Sequence, residues 1–281
     1  MEKWKYYNSA MIPAVAPHEN VEYDCSVLKS NKKALLARYT SNFDCGYESD
    51  WWYVIKDTPF DINTLKSKRR YEINKGKKNF YIEEIKPDEH AEELYNVTVL
   101  AYSQWPKKYR PNIQKDDFFR SVKEWDWYKE LGVFELDRRR LCGYALLSKI
   151  DRCVEFNVLR VIPEFEKLGI NAAAVNAILV MHEDFIKNGG YICDGTRSIS
   201  HETLFQDYLE KYFGFRKAYC KLHIQYSPKI KWLIKALYPF RKILFKLDGI
   251  TKIHQINGIL KMENIVRAQK KKTNNRVASE K

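Results

Sequence analysis

No long hydrophobic run, no paired-cysteine motif and no internal repeat marks this sequence. Without a stretch of roughly 18 uncharged apolar residues, a membrane-spanning helix is excluded. The N-terminal segment MEKWKYYNSAMIPAVAPHEN lacks the apolar core of a secretory signal, so a cytoplasmic location is expected. None of the six cysteines (Cys25, Cys45, Cys142, Cys153, Cys193 and Cys220) falls in a CxxC pair, and no Cys/His group has zinc-ligand spacing. No metal and no disulfide framework are expected. Four of the six lie in strand-like segments, as reduced core thiols would. Apolar residues at 45% and aromatics at 14% supply a sizeable core and argue against general disorder.

Charge is distributed unevenly. The segment 228–281 holds 14 Lys and Arg against 3 Asp and Glu, a net +11, which leaves only +2 of the total +13 for residues 1–227. A globally nucleic-acid-binding surface would carry its basic footprint on the folded body. Here the tail is the basic object.

Patterning predicts strands over 34–40 and 51–56, a polar basic helix over about 61–76 ended by Gly76, and a strand over 79–85. A helix follows from Pro87 to about Gln104, with Leu94, Val97, Leu100 and Ala101 on one face, then a second over 115–130. Segments 132–137, 141–149 and 153–162 read as an antiparallel meander separated by short charged turns. Then come a long helix over about 168–187, a buried strand over 190–195, a helix over 201–214 and a final long strand over 215–227. The crossover from 153–162 to 190–195 through a helix implies a parallel pair, hence a mixed sheet.

The order from residue 79 is β-α-α-β-β-β-α-β-α-β, with the strand–glycine–helix loop VIPEFEKLGINAAAV (161–175) after the fourth strand and GYICDG…YLEKYFGFRKAY near the end. This succession resembles the GNAT acyltransferase superfamily. The upstream helix SKRRYEINKGKK is similar to that of its Fem-like and BioF2-like branch. The implied fold is α+β, a mixed and mostly antiparallel twisted sheet flanked by helices. Residues 1–78 form an N-terminal extension, 79–227 the acyltransferase domain, 228–266 a basic helical tail and 267–281 a disordered basic end.

The resemblance also implies a cleft where two parallel strands splay and an acyl donor lies, acetyl-CoA or another acyl-CoA. Its pyrophosphate would rest on the N–H groups of Leu168, Gly169, Ile170, Asn171 and Ala172, since uncapped N–H groups and the helix dipole attract anions. The loop departs from the family pattern at Glu166 and Asn171. The bland reading of Gly169 is that it permits a tight turn.

N-acyl transfer needs a base for the amine, stabilisation of the oxyanion and an acid for the leaving group. Alternation places Glu155 and Asn157 on one strand face, opposite Val154, Phe156 and Val158. Glu155 is the candidate base and Asn157 a substrate contact. Asp194, Arg197 and His201 lie just beyond a buried strand, where clefts of open α/β sheets form. Arg197 suits an anionic substrate group, and His201 suits proton transfer or an ordinary helix start. Tyr208 and Tyr212 are candidate leaving-group acids. Arg69 and Arg70, on the basic helix, are candidates for an acidic substrate or a tRNA backbone.

In the tail, Lys231, Lys235, Lys242 and Lys246 fall within about a 60° helical arc, and Leu233, Leu237, Phe240, Leu244 and Leu247 lie opposite, with a kink expected at Pro239. Such a helix over 229–247 either packs on the body or lies on an anionic membrane surface, as a peripheral protein at the inner face would. The leading reading is an N-acyltransferase whose amine acceptor is a small or lipid-linked molecule, such as an amino sugar or cell-surface polysaccharide precursor. An aminoacyl-tRNA-dependent transferase and a non-catalytic GNAT-like binding module are the alternatives.

Overall fold

The structure, a computed structural model, describes residues 3–105, 110–199 and 204–279. In chain order the elements are β1 (Trp4–Tyr7), β2 (Ala10–Pro13), α1 (Ser26–Lys29), β3 (Leu36–Ser41), β4 (Trp52–Lys56), α2 (Ser67–Asn79), β5 (Phe80–Glu84), α3 (Ala91–Ser103), α4 (Lys115–Lys123) and β6 (Lys129–Glu135). They continue with β7 (Leu141–Ile150), β8 (Cys153–Val161), α5 (Ile170–Met181), α6 (Glu183–Lys187), β9 (Tyr191–Thr196), α7 (Leu204–Phe213), β10 (Arg216–Tyr219), β11 (Lys221–Tyr226), α8 (Pro228–Leu237), α9 (Arg241–Lys246) and α10 (Thr251–Ser279). They divide into two compact units, each discontinuous in sequence. One comprises Met1–Val54, Thr196–Asp207 and Arg216–Lys281, the other Ile55–Gly195 and Tyr208–Phe215.

The first unit is built on a four-stranded sheet of order β1-β2-β3-β11. The N-terminal hairpin, which the sequence patterning missed, turns through Asn8 and Ser9, both with positive φ, as a two-residue hairpin with right-handed strand twist requires. Strand β2 runs parallel to β3, and β11 runs antiparallel to it from Lys221↔Ser41 to Tyr226↔Leu36. Trp51, Cys220, Leu222 and Ile265 form a core in which α10 covers the sheet. The single strand expected over 215–227 breaks at Cys220, whose N–H donates to the carbonyl of Trp51 (3.0 Å). In the tail, α8 and α9 are separated by a 3-10 turn at Tyr238–Phe240, centred on the proline expected to kink it. Where a disordered end is expected from residue 267, helix α10 instead runs on from Thr251 to Ser279.

The second unit carries strands in the order β5-β6-β7-β8-β9, antiparallel except for the β8/β9 pair. This is the mixed, mostly antiparallel sheet flanked by helices that the sequence predicts. Its core joins Phe80, Leu94, Val97, Val133, Tyr144, Leu146 and Phe165 to the small-residue face of α5. The helix expected over 115–130 stops at Lys123, because residues from Lys129 onward pair with β7 and the N–H of Ile85 bonds the carbonyl of Glu130. The helix expected over 168–187 is interrupted at His182, whose ring Nδ1 engages the carbonyl of Ile178.

Helix α2 does not end at Gly76. It continues to Asn79, and Gly76 lies buried in its interior. A Cβ on Gly76 would stand 2.4 Å from the carbonyl oxygen of Gly169 and 3.0 Å from Cβ of Ala173. The glycine therefore serves the crossing of α2 on α5 and is no helix stop. In an open helix interior Gly→Ala would gain about 1 kcal/mol. Here the added methyl group meets backbone that cannot yield, and overpacking costs about 1–3 kcal/mol. Gly76→Ala is expected to lower the urea midpoint; a raised midpoint would contradict the close crossing.

Candidate active site

Strand β8 positions the first part of the site. Its ladder with β9 covers only Cys153↔Tyr191, Val154↔Ile192 and Glu155↔Cys193, although β8 runs on to Val161 and β9 to Thr196. The two parallel strands thus separate just past Glu155. On its other side β8 stays paired with β7, but the register shifts: Leu147 faces Phe156 and Leu146 faces Val158, leaving Asn157 as a bulge. The bulge corrects one sequence expectation. Strict alternation put Val158 opposite Glu155, whereas the shift places Val158 and Arg160 on the face that Glu155 shares with Ser148. The Ser148 hydroxyl donates to Oε2 of Glu155 (3.4 Å), and Nδ2 of Asn157 donates to Ser148 Oγ (2.8 Å). Ser148, missed in the sequence, also lines a pocket of about 480 Å³ with Asp126, Trp127, Tyr128, Lys149 and Asp151.

Beyond β8, a 3-10 turn at Pro163–Leu168 leads into Gly169, whose φ of 86° lies in the left-handed region. A side chain at Gly169 would meet the carbonyl oxygen of Glu72 at 2.9 Å and the backbone N of Gly76 at 3.0 Å. Having no side chain, Gly169 cannot cap the first-turn N–H groups of Ile170, Asn171 and Ala172. Ile170 and Ala172 are buried and Asn171 is half-exposed, while Leu168 is half-buried at the end of the turn. Of the two loop acids, Glu164 is paired with Arg140 (3.4 Å) and Glu166 is exposed. Helix α2 adds positive charge to the same turn. Nζ of Lys75 donates to the carbonyl of Lys167 (2.9 Å), and Nδ2 of Asn79 to that of Leu168 (3.3 Å). The basic helix and the glycine loop, separate features in the sequence, are one feature in space.

The N-terminal half of α2 meets α7. Arg69 donates from Nη2 to the Tyr212 hydroxyl (2.5 Å) and from Nη1 to Oε2 of Glu72 (2.5 Å), with its guanidinium 3.5 Å from the Tyr212 ring centroid. Tyr208 packs edge-on against Tyr212 (5.2 Å between centroids). Burial pushes the Tyr208 phenol above its ordinary pKa, with the charge of Glu72 acting in the same direction and Arg69 opposing it. The phenol therefore keeps its proton. Glu72 went unremarked in the sequence, although its i,i+3 spacing from Arg69 was a legible signal. Arg70 turns the other way, bonding the Asn63 carbonyl (3.3 Å) and Ser67 Oγ (3.4 Å). Lys56, also missed, is buried at the end of β4. It donates to Thr58 Oγ1 (2.7 Å) beside Gly214 at the C-terminal end of α7, where the helix dipole favours a cation. Burial lowers its pKa, with Asp57 opposing.

Asp194 is half-buried in β9, one residue past the ladder. Arg197, in the other unit, donates from Nη1 to the Asp50 carbonyl (2.6 Å) and lies 4.3 Å from the centroid of the Trp52 ring. Its pKa is lowered by burial, with Asp50 opposing. His201 lies outside the described residues. Among the described residues no group of three or more His, Cys, Asp or Glu is placed to hold a metal, and no helix is long and apolar enough to cross a membrane.

No protein-family model and no curated protein matches the chain. Solved structures similar to it include L-PGS from Bacillus licheniformis, at 12% identity over 83% of both chains with a TM-score of 0.45. The C-terminal DUF2156 domain of a putative lysylphosphatidylglycerol synthetase from Agrobacterium fabrum is similar at 9% identity over 83% of both chains, TM-score 0.46. A GNAT-family acetyltransferase from Bacillus anthracis is similar at 15% identity over 39% of this chain and 65% of that one, TM-score 0.32.

The Arg69–Tyr212 contact joins a part-buried hydrogen bond to a stacked cation. A double-mutant cycle with Arg69→Met and Tyr212→Phe is expected to give a coupling of about 1–2 kcal/mol in unfolding free energy. Strict additivity would mean that the contact is absent in solution.

Proposed function

We propose that the chain is an N-acyltransferase that moves an acyl group from an acyl-CoA, such as acetyl-CoA, to an amine. The observation that carries this reading is the separation of β8 from β9 just past Glu155 and Cys193. It leaves the second half of a strand with an open edge that leads to the N-terminus of α5. Open strand backbone suits an extended ligand with amide groups, and a helix N-terminus suits its phosphates.

The residues present fit such a donor. The N–H groups of Ile170, Asn171 and Ala172 would hold the pyrophosphate, with Lys75 and Lys167 adding charge and Arg140 offsetting Glu164. When bound, the donor supplies a thioester carbonyl. Glu155, oriented by Ser148, would accept the proton of the attacking amine. Tyr208, kept protonated by burial, and Tyr212, whose oxygen accepts from Arg69, would each present a phenolic hydrogen to the departing sulfur. The pocket beside Ser148 suits the acceptor: Asp126 and Asp151 favour a cationic amine, and Trp127 and Tyr128 give its carbon skeleton a surface.

A second reading rests on α2. Its outward side exposes Lys66, Lys68, Lys77, Lys78 and Tyr71, a basic strip with an aromatic that would suit a tRNA backbone and an aminoacyl-tRNA donor.

Asn171→Asp separates the two. A carboxylate in the first turn of α5 favours the helix by about 0.3–1 kcal/mol but repels a phosphate. Calorimetry with acetyl-CoA is expected to show saturable binding that weakens at least about tenfold in the variant, about 1.4 kcal/mol, with unchanged or raised thermal stability. Equal affinities would sink the pyrophosphate seat. Binding of aminoacylated tRNA but not acetyl-CoA would favour the second reading.

A further inference from the structure

The tail presents a feature that acyl transfer does not use. Over residues 228–247 there are six Lys and Arg and no Asp or Glu. The leucine face is partly spent on packing: Ile234 is buried, and Leu237 and Leu244 are half-buried. A different set of large apolar side chains stands in solvent, with Trp232 78%, Phe240 59%, Ile243 62% and Ile250 55% exposed, joined by Leu233 and Leu247. In each helix the exposed apolar residues adjoin exposed lysines. Trp232 and Leu233 neighbour Lys231 and Lys235 on α8, and Ile243 and Leu247 neighbour Lys242 and Lys246 on α9. Lys231, Trp232 and Lys235 recur eleven residues on as Lys242, Ile243 and Lys246, so both helices carry the same pairing of apolar and basic side chains.

We propose that α8 and α9 form a docking face for an anionic lipid surface, with Trp232, Phe240, Ile243 and Leu247 entering the headgroup boundary and the adjoining lysines meeting lipid phosphates. The charge pattern selects this occupant. A second copy of the chain docked through the same face would set one acid-free, cationic patch against another, because a two-fold interface is self-complementary. An anionic leaflet takes both components at once: apolar side chains lose contact with water, and each cation gains from the surface potential. The face lies wholly within one unit and is independent of the proposed catalytic reading.

The test is co-sedimentation of the full chain with vesicles of phosphatidylglycerol and phosphatidylcholine in equal parts, against vesicles of phosphatidylcholine alone. The protein is expected to pellet with the mixed vesicles, to stay in solution with the neutral ones, and to be released by salt. Lys242→Ala with Lys246→Ala is expected to lower the partition coefficient on the order of 20-fold, because each cation near an anionic leaflet contributes about fivefold. Trp232→Ser with Ile243→Ser is expected to lower it at least about tenfold. All four positions are exposed, and unchanged thermal melts would confirm that the variants fold. Absence of pelleting, or equal pelleting on both vesicle types, overturns the proposal. So does a concentration-dependent dimer in light scattering that Trp232→Ser dissolves, since the face would then belong to a second copy.

Discussion

Helix α2 can lie against the first turn of α5 only because neither Gly76 nor Gly169 has a side chain. Each glycine leaves room for the other's backbone, and a Cβ on either would meet main-chain atoms at 3.0 Å or less. From that crossing the rest of the candidate site follows. It carries Lys75 and Asn79 to the carbonyls of the loop before α5, and it places Arg69, itself bonded to Glu72, against Tyr212. Protein interiors resist small displacements because they are close-packed, so the crossing works as a fixed joint. The loop charge and the tyrosine pair share that joint.

The loop electrostatics change once this packing is seen. In sequence, Glu164 and Glu166 stand against an anion at α5. In the folded unit Arg140 reaches Glu164, Lys75 sits on the same turn, and Gly169 leaves the helix end without a side-chain cap. A site for an anion is set by the sum of nearby charges and oriented N–H groups, and several of those are contributed by residues far away in sequence.

Much of the architecture was legible from pattern. The element order from residue 79, the parallel pair implied by the 153–162 to 190–195 crossover, and the buried thiols of Cys142, Cys153, Cys193 and Cys220 were all readable from periodicity and residue type. What escaped was decided by tertiary contact. Gly76 carries the local signature of a helix stop, yet its bareness serves a neighbouring helix. Cys220 sits within a continuous strand pattern, yet a bond to Trp51 breaks the strand there. Tail lysines announced an amphipathic helix, but which apolar residues remain in solvent depends on what the body covers. Of the candidate site, Gly169, Glu155, Tyr208 and Tyr212 were readable as residue types in context. The supporting roles of Ser148 and Lys75 were not, because a support is defined by a partner elsewhere in the chain.

The bulge at Asn157 makes β8 a strand of two phases. Before it, odd-numbered residues share the face of Ser148; after it, even-numbered ones do, which is how Arg160 comes to the same side as Tyr144 and reaches the Tyr102 hydroxyl on α3 (2.5 Å). The two halves are therefore locked in opposite parity by one uncounted residue. Removing Asn157 would restore a regular ladder without exchanging the faces: Glu155, Val158 and Arg160 would keep the side of Ser148 and Tyr144, and the local bend alone would be lost. A single deletion at the bulge is thus absorbed with both faces kept, whereas a second would turn the residues beyond it to the other side, so the bulge is the one place where the length of β8 has slack.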